Sequence, residues 1–216
     1  MYFKNNRLNF YDKYLIFTLR NSMQDIEPFF RWRDQYISSE DPHSPFYKAE
    51  YSEMYYTHAI YNYLIHPQWD DIDAETLFLK VIFVDYADRY AIIEFIGEWN
   101  DAIQNDIMFV KRKVIEKLID HGIIYFVLIL DNVLNFHGSD DCYYEEWYEE
   151  VSEEGGWITM LGVQEHIEDE LVSTGLQHYI HFGEDLNEIE WRKMEPGGII
   201  HIINKTLNNQ IKRLRY

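Results

Sequence analysis

From Leu77 onward the alternation of apolar and polar positions divides the chain into a series of elements. LFLKVIFVDY and RYAIIEFIGEW are two β-rich runs with a short polar joint at Ala87 and Asp88, a pattern that predicts a hairpin. Ile103, Ile107, Val110, Val114 and Leu118 then recur at helical spacing, with Asn100 or Asp101 placed to cap the first turn. The HGII that follows supplies a stop: Gly122 can take the left-handed position after the helix, which brings Leu118 and Ile123 together in a Schellman contact. IIYFVLILDNVLNF is a continuous apolar run of the kind expected for a central strand covered on both faces. Tyr144, Trp147, Tyr148 and Val151 line one face of a second helix whose other face carries Glu145, Glu146, Glu149 and Glu150. Gly155 and Gly156 end it, and WITMLGV is the next strand. Val163, Ile167 and Leu171 mark a third helix closed by Gly175, QHYIHF reads as a last short strand, and a final helix over Ile199 to Arg213 follows the breaker Pro196-Gly197-Gly198.

The stretch before Leu77 has a different character. Four of the five prolines (Pro28, Pro42, Pro45, Pro67) lie there, amid turn formers and tyrosines, so residues 1–70 are expected to form a separate extension of mixed structure and residues 71–216 an α/β domain. A strand near Tyr14 to Leu19 and a short helix near Ile26 to Tyr36 are predicted within the extension.

Composition narrows the class of protein. With 216 residues, 47% of them apolar and 17% aromatic, the chain can bury a sizeable core. Its single cysteine, Cys142, excludes an internal disulfide framework, and no apolar run approaches the roughly 18 residues of a membrane span. The polar N-terminus lacks the apolar segment of a signal peptide, and a cytoplasmic location is expected. The formal charge of −19 is concentrated: from Leu118 to Trp191 there are 18 Asp or Glu and no Lys or Arg. Nucleic acids are held largely by Lys and Arg, so such a surface repels them and suits instead a protein with a basic surface. Gly155-Gly156 and Gly197-Gly198 make neither a GxGxxG fingerprint nor a Walker-type loop, and no cofactor is expected.

The order β-β-α-β-α-β-α-β-α over about residues 77–185 resembles the STAS domain, the fold of bacterial anti-sigma-factor antagonists. IIEFIGEWN is similar to the family's second strand and the Gly-Glu after it, FVLILDNVLNF to its central strand leading to the functional loop, and GGWITMLGVQEHIEDELVSTGLQHYIHF to its later strand, helix, TGL turn and closing strand. The resemblance implies an α/β sandwich with a central sheet and helices packed on it. It also implies a non-enzymatic regulatory role in which the loop after the central strand meets a kinase or an anti-sigma-like regulator. In the family that loop commonly reads Asp-Ser-Ser-Gly, and its first serine accepts phosphate. Aligned on Phe136, His137 stands at the aspartate position, Gly138 at the acceptor, Ser139 next and Asp140 at the glycine. The acceptor is therefore missing in this register; a slip of one residue brings in Ser139 but places Gly138, not an acid, before it.

HGSDDC, residues 137–142, admits four readings. Ser139 can cap the next helix, with Asp140 and Asp141 complementing the helix dipole in its first turn. Ser139 can be a phosphoacceptor, although two aspartates follow it. His137, Asp140, Asp141 and Cys142 have the ligand chemistry of a metal site but no established metal-binding spacing. Cys142 or Ser139 can serve as a nucleophile. The expected partner surface is Phe136, His137, Gly138, Ser139, Asp140 and Asp141 with Glu145, Glu146, Glu149 and Glu150, with no catalytic or metal-binding residue assigned. The alternatives are a small metal-dependent or hydrolytic enzyme using His137, Asp140 and Asp141, and a structural subunit that homodimerises through its N-terminal extension. His166, His178 and His181 form a functional group only if the fold brings them together.

Overall fold

The computed structural model describes residues 24–213 apart from 53–55, 57 and 62, and the strand expected near Tyr14 to Leu19 lies outside the described residues. The chain divides into two units: the described parts of Met1–Pro28 and Tyr51–Trp69 make one, Phe29–Glu50 and Asp70–Tyr216 the other. Residues 29–50, grouped with the extension on sequence, thus pack within the larger unit.

The smaller unit is built on three short strands, β1 (Gln24–Ile26), β2 (His58–Ile60) and β3 (Tyr63–Ile65), in the order β1-β3-β2. β3 pairs parallel with β1 and antiparallel with β2. Trp69, buried with Ile60, Leu64 and Ile65, donates its indole N–H to the Ile26 carbonyl at 2.8 Å.

In the larger unit five strands form a mixed sheet in the order β4-β5-β6-β7-β8: Asp70–Asp71, Leu77–Asp85, Tyr90–Asn100, Tyr125–His137 and Trp157–Leu161. β4, β5 and β6 run antiparallel in turn, whereas β6, β7 and β8 are parallel neighbours. The predicted hairpin forms with Asp85 opposite Tyr90, and the Asp85 Oδ1 receives the N–H groups of Ala87 and Asp88 at 2.9 Å each. Parallel strands need crossovers, and the predicted helices provide them on one face: Asp101–Gln104 (α1), Asp106–Val110 (α2) and Glu116–Asp120 (α3) before β7, then Cys142–Ser152 (α4) before β8 and Glu165–Ser173 (α5) after it. Their buried stripes, including Val110, Leu118, Trp147, Val151, Ile167 and Leu171, pack on Phe95, Phe126, Leu128 and Met160 of the sheet. The other face is closed by Trp32 and by Leu186, Trp191, Ile199, Ile203 and Leu207 from the short helix Glu184–Asn187 (α6), the turn Trp191–Lys193 and the final helix Pro196–Arg213 (α7). The result is an α/β sandwich around a mixed sheet, with an N-terminal extension. None of the helices among the described residues is long and apolar enough to cross a membrane.

Several local expectations need correction. The helix predicted near Ile26 to Tyr36 is instead the end of β1 followed by a turn at 31–35, where the N–H groups of Gln35 and Tyr36 both donate to the Trp32 carbonyl at 2.9 Å. The helix predicted through Ile103 is broken at Asn105, which takes a left-handed φ of 56°. Ile103 therefore leaves the core stripe and stands 84% exposed. Further along, Lys111–Ile115 is a π-helical turn between α2 and α3, and the extra residue it accommodates rotates Lys111 into the interior. QHYIHF is not a strand: Leu176–His178 is a 3₁₀ turn, and only His181 reaches β8, with its N–H and carbonyl bonded to Ile158 and Met160 at 2.9 and 2.8 Å. Pro196-Gly197-Gly198 opens α7 rather than breaking the chain before it, because a proline in the first turn gives up an N–H that would have had no helical partner.

The predicted stops hold. At Gly122, φ 90°, the Ile123 N–H reaches Leu118 at 3.1 Å and the Gly122 N–H reaches Ile119 at 2.8 Å, the two bonds of a Schellman motif. Gly156 is constrained differently: a Cβ there would lie 2.3 Å from the Ile124 carbonyl oxygen and 2.8 Å from that of Val151, whereas one on Gly122 would meet nothing. Gly122→Ala is accordingly expected to cost about 1–2 kcal/mol through backbone strain alone, and Gly156→Ala more than that, on the order of 3 kcal/mol, because backbone has to move. Urea unfolding of both variants checks the order.

Candidate functional site

β7 does not stop where its apolar run ends. It continues to His137, whose backbone is in register with Asn100 at the end of β6, so the loop at 138–141 rises from the carboxyl ends of two parallel strands. In open α/β sheets that edge is where ligands gather, because the loops that follow the strands converge there.

The loop is fastened from beneath and open above. Phe136 is 2% exposed and packs on Trp99 with ring centroids 6.0 Å apart, which makes it an anchor. The His137 ring lies against Asn135, Nε2 to Nδ2 at 2.9 Å, and is exposed. Gly138 donates its N–H to Glu170 at 3.4 Å, and a Cβ there would stand 2.4 Å from the Thr174 methyl, so a side chain at 138 would push the loop off α5. Asp140 Oδ1 accepts the Cys142 N–H at 2.8 Å, and Tyr179 donates its hydroxyl to Asp141 at 3.1 Å. α4 begins after Asp141, whose side chain makes no capping bond, so the expected serine cap is replaced by the Asp140 turn. Ser139 is left exposed at the tip, with no hydrogen bond to a described residue.

The acidic helix divides into two halves. Lys111, wholly buried, points its ammonium at Glu150 (2.8 Å), Glu146 (3.5 Å) and Glu116 (3.7 Å), and Arg112 grips Glu146 with two bonds at 2.9 and 3.0 Å. Despite the burial, those cations hold the Glu146 carboxyl below its ordinary range. Glu145 and Glu149 are exposed and, among the described residues, pair with no Lys or Arg.

Under the loop lies a polar cluster that was not singled out on sequence. Asp101, at the start of α1, accepts the Trp99 indole N–H at 3.0 Å, the Ile107 N–H at 2.8 Å and the Tyr144 hydroxyl at 2.6 Å. Asp106, wholly buried, accepts the Asn100 N–H at 2.7 Å, and its second oxygen finds no partner among the described residues. Burial pushes both carboxyls up, to about 6, against the hydrogen bonds that favour their charge. A sequence signal existed for Lys111, a charge among the stripe residues Ile107, Val114 and Leu118. None separated Asp101 and Asp106 from ordinary first-turn acids.

The remaining candidates do not converge. His166 is bonded to the Leu134 carbonyl at 3.0 Å, His178 lies edge-on to Tyr179 and His181 bridges to β8. Among the described residues no three His, Cys, Asp or Glu side chains are grouped to hold a metal ion. Cys142 is exposed, and its thiol is pushed up by desolvation and then by Asp140, the wrong direction for a nucleophile.

No protein-family model and no curated protein matches the chain. Among solved structures it is similar to the anti-sigma factor antagonist SpoIIAA in its unphosphorylated form, with a TM-score of 0.41 and 11% identity over 54% of this chain and 98% of that one. It is similar also to the Bacillus cell fate determinant SpoIIAA in its phosphorylated form, with a TM-score of 0.36 and 10% identity over 50% and 92%. At these values the reading of the site rests on its own geometry.

The divided helix makes a sharp contrast. Glu150→Gln weakens the nearest partner of a buried ammonium and is expected to cost about 1–3 kcal/mol of stability, whereas Glu149→Gln should stay within about 0.5 kcal/mol; chemical denaturation of the pair decides it. The Asp101 cluster predicts a pH effect. Its folded-state pKa of about 6 lies above the ordinary 3.8, so its contribution to stability is fully present below about pH 4 and is lost as pH rises through about 6. Tyr144→Phe removes a donor to the ionised form, so its cost should be larger at pH 8, about 2 kcal/mol, than at pH 4.5. Equal costs at both pH values would mean that the hydroxyl does not serve the carboxylate.

Proposed function

We propose that this chain is a non-enzymatic regulatory or scaffold module of the cytoplasm that binds a basic protein surface through the exposed tip of the 137–141 loop and the outward half of α4. The observation that carries the reading is the combination at one edge of the sheet. A loop anchored by Phe136, Gly138, Asp140 and Asp141 presents His137 and Ser139 to solvent, beside Glu145 and Glu149, which no Lys or Arg among the described residues pairs with. A loop held in this way loses little conformational freedom on binding, which leaves more of the contact energy for affinity. The carboxylates steer a cationic partner toward it.

The ion pairs of α4 favour some of its acids over others for this role. Glu146 and Glu150 are occupied by Lys111 and Arg112, so steering falls to Glu145, Glu149 and the acids of α5. A kinase or an anti-sigma-like regulator is the partner class that the STAS resemblance implies. Ser139, solvent-facing beside the start of α4, would accept phosphate where the helix dipole favours it and Asp140 opposes it.

Affinity capture from the native cell extract tests the reading, with the wild type, His137→Ala/Ser139→Ala and Glu145→Lys/Glu149→Lys compared at low and moderate salt. A specific protein that the loop variant fails to hold, and that associates about tenfold more slowly with the charge-reversed variant at low salt, is the expected result. Capture indifferent to both variants and to salt would remove the loop and α4 from the account.

A further inference from the structure

On the face of the sheet opposite the crossover helices, one carboxylate ties together three parts of the larger unit. Glu94 sits mid-strand in β6 and is wholly buried. Its Oε2 accepts the Phe29 N–H at 2.7 Å, while Oε1 receives Arg192 at 2.9 Å and Asn132 at 3.3 Å. The chain after Phe29 is fastened around the same point. Arg31 donates to the Arg192 carbonyl at 2.8 Å, the Trp32 indole N–H to the Met194 carbonyl at 3.3 Å and Gln35 to Glu195 at 2.9 Å. Phe29 packs edge-on against Trp32 and Trp191 at 4.8 and 4.9 Å, and the Arg192 guanidinium lies over the Trp191 ring at 4.4 Å. Docking of residues 29–36 thus seals a carboxylate beneath aromatic rings, and lifting them would return water to it.

We infer that residues 29–50 are a strap whose hold on the sheet is governed by the proton on Glu94, firm when the carboxyl is protonated and looser when it is ionised. An anion buried at this depth gives up its hydration, and two N–H donors with one shared guanidinium replace only part of it. Burial accordingly pushes the Glu94 carboxyl up to about 7, with the Phe29 N–H and Arg192 pulling the other way and Asp131 adding to the rise. The charges facing it are Arg192 from the 191–193 turn, Asp131 of β7 (itself 3.2 Å from Arg192), Lys80 in register on β5 with Asp70 of β4 at 3.2 Å, and Arg31 and Arg33 of the strap. The sign follows from linkage. The docked state holds its proton up to about pH 7 and an undocked, solvated carboxyl only to about 4.5, so docking is firmest below pH 4.5, weakens through 7 and is constant above.

Amide hydrogen exchange on the full chain between pH 4.5 and 8, divided by intrinsic rates, reads the device at the N–H groups of Phe29, Gln35 and Tyr36. Protection there is expected to fall up to tenfold per pH unit between about 5 and 7 and then level off. Glu94→Gln keeps an acceptor for the Phe29 N–H without a titrating charge, and should give protection that does not change over this range. A slope that survives in Glu94→Gln would assign the effect to another group and overturn the inference, as would flat protection in the wild type. Should the variant not fold, the Glu94 carboxyl carbon can be titrated by NMR in the wild type, where a midpoint below 5 overturns the inference and one near 7 supports it.

Discussion

The constraint on which this architecture depends is that its central parallel strands must be covered on both faces. β7 buries Phe126, Leu128 and Leu130 on one side and Val127 and Ile129 on the other, so a single layer of helices cannot satisfy it. Each such side chain contributes roughly 1.5–3 kcal/mol when removed from water, and the chain secures that gain on the second face with pieces drawn from both ends of its larger unit. Residues 29–36 and 188–195, which precede α7 on this face, form only single turns and have no helix–strand register to align them there. They are held by polar contacts instead, and the most buried of those converge on Glu94. A charge in the middle of β6 is thus the cost of specifying where an irregular covering layer goes.

The same trade recurs at the carboxyl ends of the strands. α1 and α2 are too short to be stable by themselves, and the left-handed Asn105 between them interrupts the ladder that would have joined them. Asp101 and Asp106 take up amide and indole donors at the break, so hydrogen bonds hold the corner where the helix is interrupted. Tyr144 then couples this corner to α4. The loop at 138–141 therefore stands on a base set by buried hydrogen bonds, and its shape need not change for its tip to be presented.

What could be read from the sequence divides along a physical line. Elements defined by repetition were legible: the hairpin, the long central strand, the stripes of α4 and α5 and the glycine stops at 122, 155 and 175, because each is specified by local spacing and one backbone conformation. Features that depend on contacts between distant segments were not. The break at Asn105 and the π-helical turn at Lys111 leave the apolar spacing nearly intact, so Ile103 and Lys111 exchange the environments their positions predict. QHYIHF has the composition of a strand, yet only His181 reaches an edge to pair with. In the candidate site the residue types were legible but their division of labour was not, since a glutamate facing solvent and one facing a buried lysine look alike in a helical stripe.

That division bears on how net charge is read into function. The stretch from Leu118 to Trp191 carries 18 acids and no base, which by composition suggests a uniformly repellent surface. In the fold, Lys111, Arg112, Arg89, Arg192 and Lys193 reach in from outside the stretch to Glu150, Glu146, Glu154, Asp131 and Glu190. Internal compensation of this kind removes those acids from the outward field, because a paired charge acts at a distance only as a dipole. Of the acids that remain, Glu145 and Glu149 of α4 and Glu165 and Asp169 of α5 stand exposed. On the proposed reading a partner steered by these acids approaches the sheet edge rather than the body as a whole, which makes the loop, not the total charge, the feature to test.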